Sequence, residues 1–127
     1  MIKKKIKKLL IANRGEIACK IIKCAKNLDI PTVAIYSNVD ADSLHIQLAD
    51  EAVNIPGSLV SETYMNGPAI ISICKKYKAN AIHPGYGLLS ENAKFVKSVE
   101  KNNLIFIGPK SKIIKKMGEK DKAKLIM

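Results

Sequence analysis

Three short stretches carry the residue types from which a site could be built. The first is Asn13-Arg14-Gly15-Glu16. Arg14 is the single arginine in a chain whose other basic residues are all lysine. Its planar, permanently charged fork suits a bidentate carboxylate contact. The same four residues also read as plain structure: Asn13 as N-cap with Glu16 three positions on forms a capping-box pattern, and Glu16 can pair with Lys20 at i,i+4. The second stretch is His83-Pro84-Gly85-Tyr86-Gly87-Leu88-Leu89-Ser90-Glu91-Asn92. Gly85 and Gly87 flank Tyr86, so the backbone can turn sharply and hold the ring outward. The stretch is either a tight turn with a structural tyrosine or a rigid crevice wall on which a planar ligand packs. His83 reads as a satisfied histidine at a strand end rather than a base, and Ser90 and Glu91 as caps of the next helix. The third stretch is Met117-Gly118-Glu119-Lys120, where Lys120 is either a phosphate-binding point charge or one more surface lysine.

The chemistry open to these residues is narrow. Only Gly15 follows the first strand where a dinucleotide site would carry G-x-G-x-x-G, which disfavours NAD or FAD. No nucleophile–base pair, carboxylate dyad, P-loop or H-E-x-x-H stands in the sequence. No metal site is expected: the only other histidine is His45, and neither cysteines nor carboxylates cluster.

Elements that could position the three stretches alternate along the chain. Short apolar runs predict strands over residues 8–12, 32–36, 51–55, 80–83 and 104–107. Helical periodicity predicts helices over 15–28, 40–48, 91–101 and 110–127, the last broken at Gly118. Another begins at Pro68, which suits position N1, with Ala69, Ile70, Ile73, Cys74 and Tyr77 as its inner face. The acids near Asp40 are expected at a helix N-terminus, where the dipole favours them. The resulting class is α/β: a Rossmann-like small parallel sheet flanked by helices. In such sheets ligands sit beyond the carboxyl ends of the strands, where the winding reverses. With strand one central and strand four beside it, the loops at 13–16 and 83–89 face that crevice.

The 127 residues make one domain with room for one core, and no repeat or linker divides them. Twenty-two basic against 11 acidic residues give a net charge of +11, which first suggests nucleic acid or an anionic membrane. A single arginine and 5% aromatics with no Trp argue against a nucleic-acid reader. The lysines read instead as a solvated surface in a biased composition, and no nucleic-acid or membrane partner is expected. No stretch is long and apolar enough to span a bilayer. Cys19, Cys24 and Cys74 lack zinc or C-x-x-C spacing and read as small core residues in a reducing, cytoplasm-like compartment.

Taken together, the ordered segments LLIANRGEIA, Tyr36-Ser37…Asp42…His45…Ala49-Asp50-Glu51-Ala52, HPGYGLLSEN, FIGP and MGEK resemble the N-terminal, pre-ATP-grasp domain of biotin carboxylase. The resemblance covers nearly the whole chain. It points to the biotin-dependent carboxylases acting on acetyl-CoA, propionyl-CoA, methylcrotonyl-CoA or pyruvate. It implies a ligase reaction, ATP-dependent carboxylation of carrier-bound biotin by bicarbonate through carboxyphosphate, with Mg²⁺ or Mn²⁺ accompanying ATP; fatty acid biosynthesis is one setting.

The same resemblance implies roles for particular residues. Lys120, in the match to M-G-D-K, would bind ATP phosphates, and Gly85, Tyr86 and Gly87 would line the biotin side of the crevice. Lys20 and Lys23 fall where bacterial subunits carry dimer-interface arginines. A homodimer is among the assemblies the resemblance implies, and lysine at these contact positions departs from the pattern because it lacks the bidentate fork. Glu119 for Asp and Leu88 for Phe are milder departures. The expected domain is residues 1–127, with ATP-grasp and C-terminal domains outside this chain. Catalytic residues would lie there, and the isolated chain is expected to be inactive. Expected partners are an ATP-grasp lobe in cis or trans, a biotin carboxyl carrier protein and a carboxyltransferase. The competing expectation is a non-catalytic anion-binding or dimerising remnant, or the N-terminal domain of another ATP-grasp ligase.

Overall fold

The computed structural model describes residues 6–90 and 92–108. Five parallel strands form one sheet in the order β3-β2-β1-β4-β5. They are β1 Leu9–Ile11, β2 Thr32–Tyr36, β3 Glu51–Asn54, β4 Ala81–His83 and β5 Ile105–Phe106. Four helices alternate with them: α1 Gly15–Asn27, α2 Leu44–Leu48, α3 Gly67–Lys76 and α4 Ala93–Lys101. Central β1 is buried throughout, as a parallel strand covered on both faces must be. In register, Leu10 lies beside Val33 on one side and Ile82 on the other.

Alternation along the strands divides the core into two layers. Leu10, Val33, Ile35 and Ile82 pack with Ile70 and Cys74 of α3 and Phe95 and Val99 of α4. Leu9, Ile11 and Ala81 face the other way, onto Ala18, Ile22 and Ala25 of α1, with Leu48 of α2 at the margin. Helices α1 and α2 thus cover one face and α3 and α4 the other. The winding reverses between β1 and β4, and the loops leaving those two strands share one edge of the sheet. Ala12 N–H donates to the His83 carbonyl at 2.9 Å, carrying the pairing to the mouth of that edge.

The expected element order and fold class hold, and β2 has its expected bounds. The predicted helix over 40–48 instead divides into a 3₁₀ turn, Asn38–Asp40, and the short α2. Asp40 does not serve a helix dipole, because its carboxylate is engaged from the side by other loops. Helix α4 starts at Ala93, and its cap is Asn92, whose Oδ1 accepts from Phe95 N–H at 2.9 Å; Ser90 is not the cap. Cys19 and Cys74 are buried as expected, whereas Cys24 is exposed on α1. The predicted helix over 110–127 and the capping role of Glu91 lie outside the described residues.

Candidate functional site

Asn13 and Arg14 connect the end of β1 to α1, and together they tie three loops to one edge of the sheet. Arg14 directs its fork at Asp40: Nε donates to Oδ2 at 2.7 Å and Nη2 to Oδ1 at 2.6 Å. The same carboxylate accepts from the Tyr64 hydroxyl at 2.6 Å and the Ser37 hydroxyl at 3.2 Å. The Tyr64 oxygen in turn accepts from Ser37 N–H at 3.2 Å, and the guanidinium carbon lies 5.8 Å from the Tyr64 ring centroid. Arg14 holds the Asp40 carboxyl far below its usual value, and Asp40 holds the guanidinium charged. Burial, then the hydrogen bond to Asp40, pushes the Tyr64 hydroxyl upward. The bidentate carboxylate contact expected of Arg14 is therefore real and lies inside the chain.

Asn13 does not form the expected capping box with Glu16. The N-cap of α1 is Arg14, at φ −134° and ψ 171°, with no side-chain cap. The Asn13 amide instead donates to the Pro84 carbonyl at 2.7 Å and the Tyr86 carbonyl at 2.9 Å. Glu16 does pair with Lys20, at 3.8 Å between two exposed side chains.

The 83–89 loop leaves β4 through three left-handed residues, with Tyr86 between the first two: Gly85 at φ +68°, Gly87 at φ +66° and Leu88 at φ +50°. A Cβ on Gly85 would lie 2.6 Å from Asn13 Nδ2, so this position excludes every side chain as well as favouring the glycine conformation. The turn holds Tyr86 outward at 81% exposure, as the flanking glycines predict. His83 is satisfied at the strand end: its Nδ1 accepts from Gly85 N–H at 3.1 Å. That bond leaves the proton of the neutral ring on Nε2, and burial lowers the His83 pKa, favouring the neutral ring.

Beside Tyr86 runs a groove of about 590 Å³ lined by His83, Ile107 and the α1 residues Ile17, Lys20 and Ile21, among others. The structure therefore brings Lys20, Gly85, Tyr86 and Gly87 to one end of the molecule. Lys23 is exposed on α1 and is not among the residues lining the groove. Lys120 lies outside the described residues. Among the described residues no group of three or more His, Cys, Asp or Glu side chains could hold a metal ion. No described helix is long and apolar enough to cross a membrane.

The sequence reading missed Ser37, Asp40 and Tyr64 as parts of this edge. The lone arginine was the available signal, since a half-buried guanidinium needs a carboxylate. Choosing Asp40 over Asp42 required the path of the 37–43 loop.

Comparison with known proteins agrees with this architecture. The family described as biotin carboxylase, N-terminal domain, matches residues 5–114. Biotin carboxylase 2 of Bacillus subtilis (strain 168) is 53% identical over 120 residues, which are 94% of this chain and 27% of that protein. The mitochondrial propionyl-CoA carboxylase alpha chain of Mus musculus is 50% identical over 119 residues, 94% of this chain and 16% of that one. The crystal structure of the biotin carboxylase subunit of pyruvate carboxylase superposes with a TM-score of 0.89 at 48% identity, covering 96% of this chain and 27% of that one. The chain thus spans about a quarter or less of the length of these relatives. With the match running from residue 5 to residue 114 and the fold shared, the chain belongs to the biotin carboxylase N-terminal domain family.

Proposed function

We propose that this chain supplies one wall of a biotin carboxylase active site and works with an ATP-grasp lobe, in cis or in trans. The reaction would be ATP-dependent carboxylation of carrier-bound biotin by bicarbonate. The observation that carries this reading is the Gly85-Tyr86-Gly87 turn, which presents an exposed ring at the winding reversal of a domain of this family. The ring offers a flat apolar face and a phenol, suited to packing against a planar bicyclic ligand such as biotin. ATP with Mg²⁺ or Mn²⁺ would supply the activation of bicarbonate. Lys120 is proposed to meet the ATP phosphates, and the metal ligands and catalytic groups to lie in the partner lobe. Lys20 and Lys23, both exposed on α1, are proposed dimer-contact positions. A carrier protein and a carboxyltransferase complete the proposed assembly, in the cytoplasm or another reducing compartment. The non-catalytic remnant is not favoured: residues 5–114 match the carboxylase family across the sheet and both crevice loops.

A graft tests the proposal. This chain would replace the matched 120 residues of Bacillus subtilis biotin carboxylase 2. Biotin- and bicarbonate-dependent ATP hydrolysis is expected within about tenfold of the parent, and Tyr86→Ala is expected to lower it by about tenfold to a hundredfold. A folded graft without biotin-dependent turnover would overturn the reading.

A further inference from the structure

The Tyr86 turn is held mainly by side chains, beside one backbone bond from Ser90 N–H to the Gly87 carbonyl at 2.9 Å. The Gly85 N–H goes to the His83 ring, and the carbonyls on either side of Gly85, those of Pro84 and Tyr86, converge on the single amide nitrogen of Asn13. The oxygen of that side chain is also engaged, since Oδ1 accepts from Arg14 N–H at 2.8 Å. Asn13 is 3% exposed, so its amide is shielded from water on its own side of these bonds. Only a short side chain with two donors on one atom satisfies the geometry. Aspartate has the same shape but would set a carboxylate against two carbonyl oxygens, and serine has one donor and a shorter reach. The next residue, Arg14, is anchored to Asp40, so Asn13 does not drift with the loop that bears it.

We propose that Asn13 is a positioning residue for Tyr86: its amide, bridging the two carbonyls that flank Gly85, fixes where the exposed ring stands in the crevice. The part of this proposal that concerns turnover rests on the carboxylase reading above; the part that concerns the ring does not. The isosteric pair Asn and Asp separates hydrogen bonding from packing. If Asn13 merely fills space, Asn13→Asp is silent and Asn13→Ala is disruptive. If it positions the turn by donation, Asn13→Asp disrupts at least as much as Asn13→Ala.

The first arm uses this chain labelled with 3-fluorotyrosine, the Tyr86 signal being identified by Tyr86→Phe. Asn13→Asp is expected to shift and narrow the Tyr86 fluorine resonance. It is also expected to speed amide exchange at Gly85, whose N–H is held by the His83 ring, by about tenfold or more, while β1 and β4 stay protected. Should Asn13→Asp fail to fold, Asn13→Ser is expected to show an intermediate effect on the same signals. A Tyr86 resonance and turn exchange unchanged in both Asn13→Asp and Asn13→Ser would overturn the proposal.

The second arm uses the grafted carboxylase. Asn13→Asp is expected to lower biotin-dependent kcat by about tenfold with the KM for ATP unchanged. Adding it to Tyr86→Ala is expected to cost nothing further, because Asn13 acts through that ring. Additive losses would overturn the positioning role. An inactive graft would count against the carboxylase reading alone and leave the fluorine and exchange results to decide on Asn13.

Discussion

Arg14 keeps 48% of its side chain in solvent while its partner Asp40 keeps 8%, so the ion pair is open on one side and closed on the other. Solvent screens the guanidinium, but the carboxylate cannot rehydrate when its partner is removed. Arg14→Ala is therefore expected to destabilise the fold by about 2 kcal/mol at pH 7, read by urea denaturation. The pH dependence has a definite sign. Asp40 titrates below its ordinary value of 3.8 in the fold, so the pair's contribution is present above that value and fades as the solution is acidified through the depressed pKa. The stability gap between Arg14→Ala and the parent chain should accordingly be constant from pH 5 to 7 and shrink below about pH 4. Gly85 and Gly87 make a second residue-scale contrast. Both have left-handed φ, costing any other residue about 1–2 kcal/mol. A Cβ at Gly87 meets nothing within 4 Å, whereas at Gly85 it also strikes Asn13 and Ile17 Cγ2, the latter at 2.8 Å. Gly85→Ala should lose more stability than Gly87→Ala, with equal losses by denaturant titration counting against the close approach.

Helix boundaries show where sequence signals reached their limit. The α4 cap is a clear case, since the sequence pointed to Ser90 and Glu91 and the structure uses the next residue, Asn92. Asn92 serves because its carbonyl oxygen reaches Phe95 N–H, a choice set by where Leu89 and Phe95 enter the core. Asn92→Ala is expected to cost about 1 kcal/mol in thermal unfolding and Ser90→Ala much less. The C-termini were harder to read. Helices α1, α3 and α4 each end in a left-handed residue, Asp29, Lys78 and Asn103, where glycine would have announced the stop. In each, the following N–H turns back to the helix: Ile30 to Ala25, Ala79 to Cys74 and Leu104 to Val99, at 2.8–3.1 Å. The apolar residue after the turn is what ends the helix, because it must enter a strand or the core. Periodicity still placed α1, α3 and α4, since Ala18, Ile22 and Ala25, then Ile70 and Cys74, then Phe95 and Val99 recur at helical spacing and face the sheet.

At the scale of the whole molecule the two-sided core governs which groups can react. Cys74 is sealed on the sheet-facing side of α3 and its thiol is pushed up by burial to about 11, while Cys24 lies exposed on α1. Treatment of the native chain with a thiol reagent is expected to modify Cys24 quickly and Cys19 and Cys74 only on unfolding. Fast loss of all three thiols without denaturant would contradict the packing. The same two-sided arrangement sets the crevice. With α1 and α2 on one face and α3 and α4 on the other, the ends of β1 and β4 part at the reversal, and residues 13 and 86 meet although 73 positions separate them.

The sequence by itself determined the α/β class, the strand sequence, the outward tyrosine and the suitability of Arg14 for a carboxylate, because each follows from local periodicity, glycine freedom or residue chemistry. It also carried the family resemblance, since the ordered motifs are local strings. Tertiary structure alone decided that Asn13 serves the Tyr86 turn rather than its own helix, and that Asp40 answers Arg14 with Tyr64 and Ser37 around it. Those choices depend on which loops the sheet order β3-β2-β1-β4-β5 brings to one edge. A side chain with several available hydrogen bonds takes the partners that burial leaves without water, and burial is a property of the folded chain.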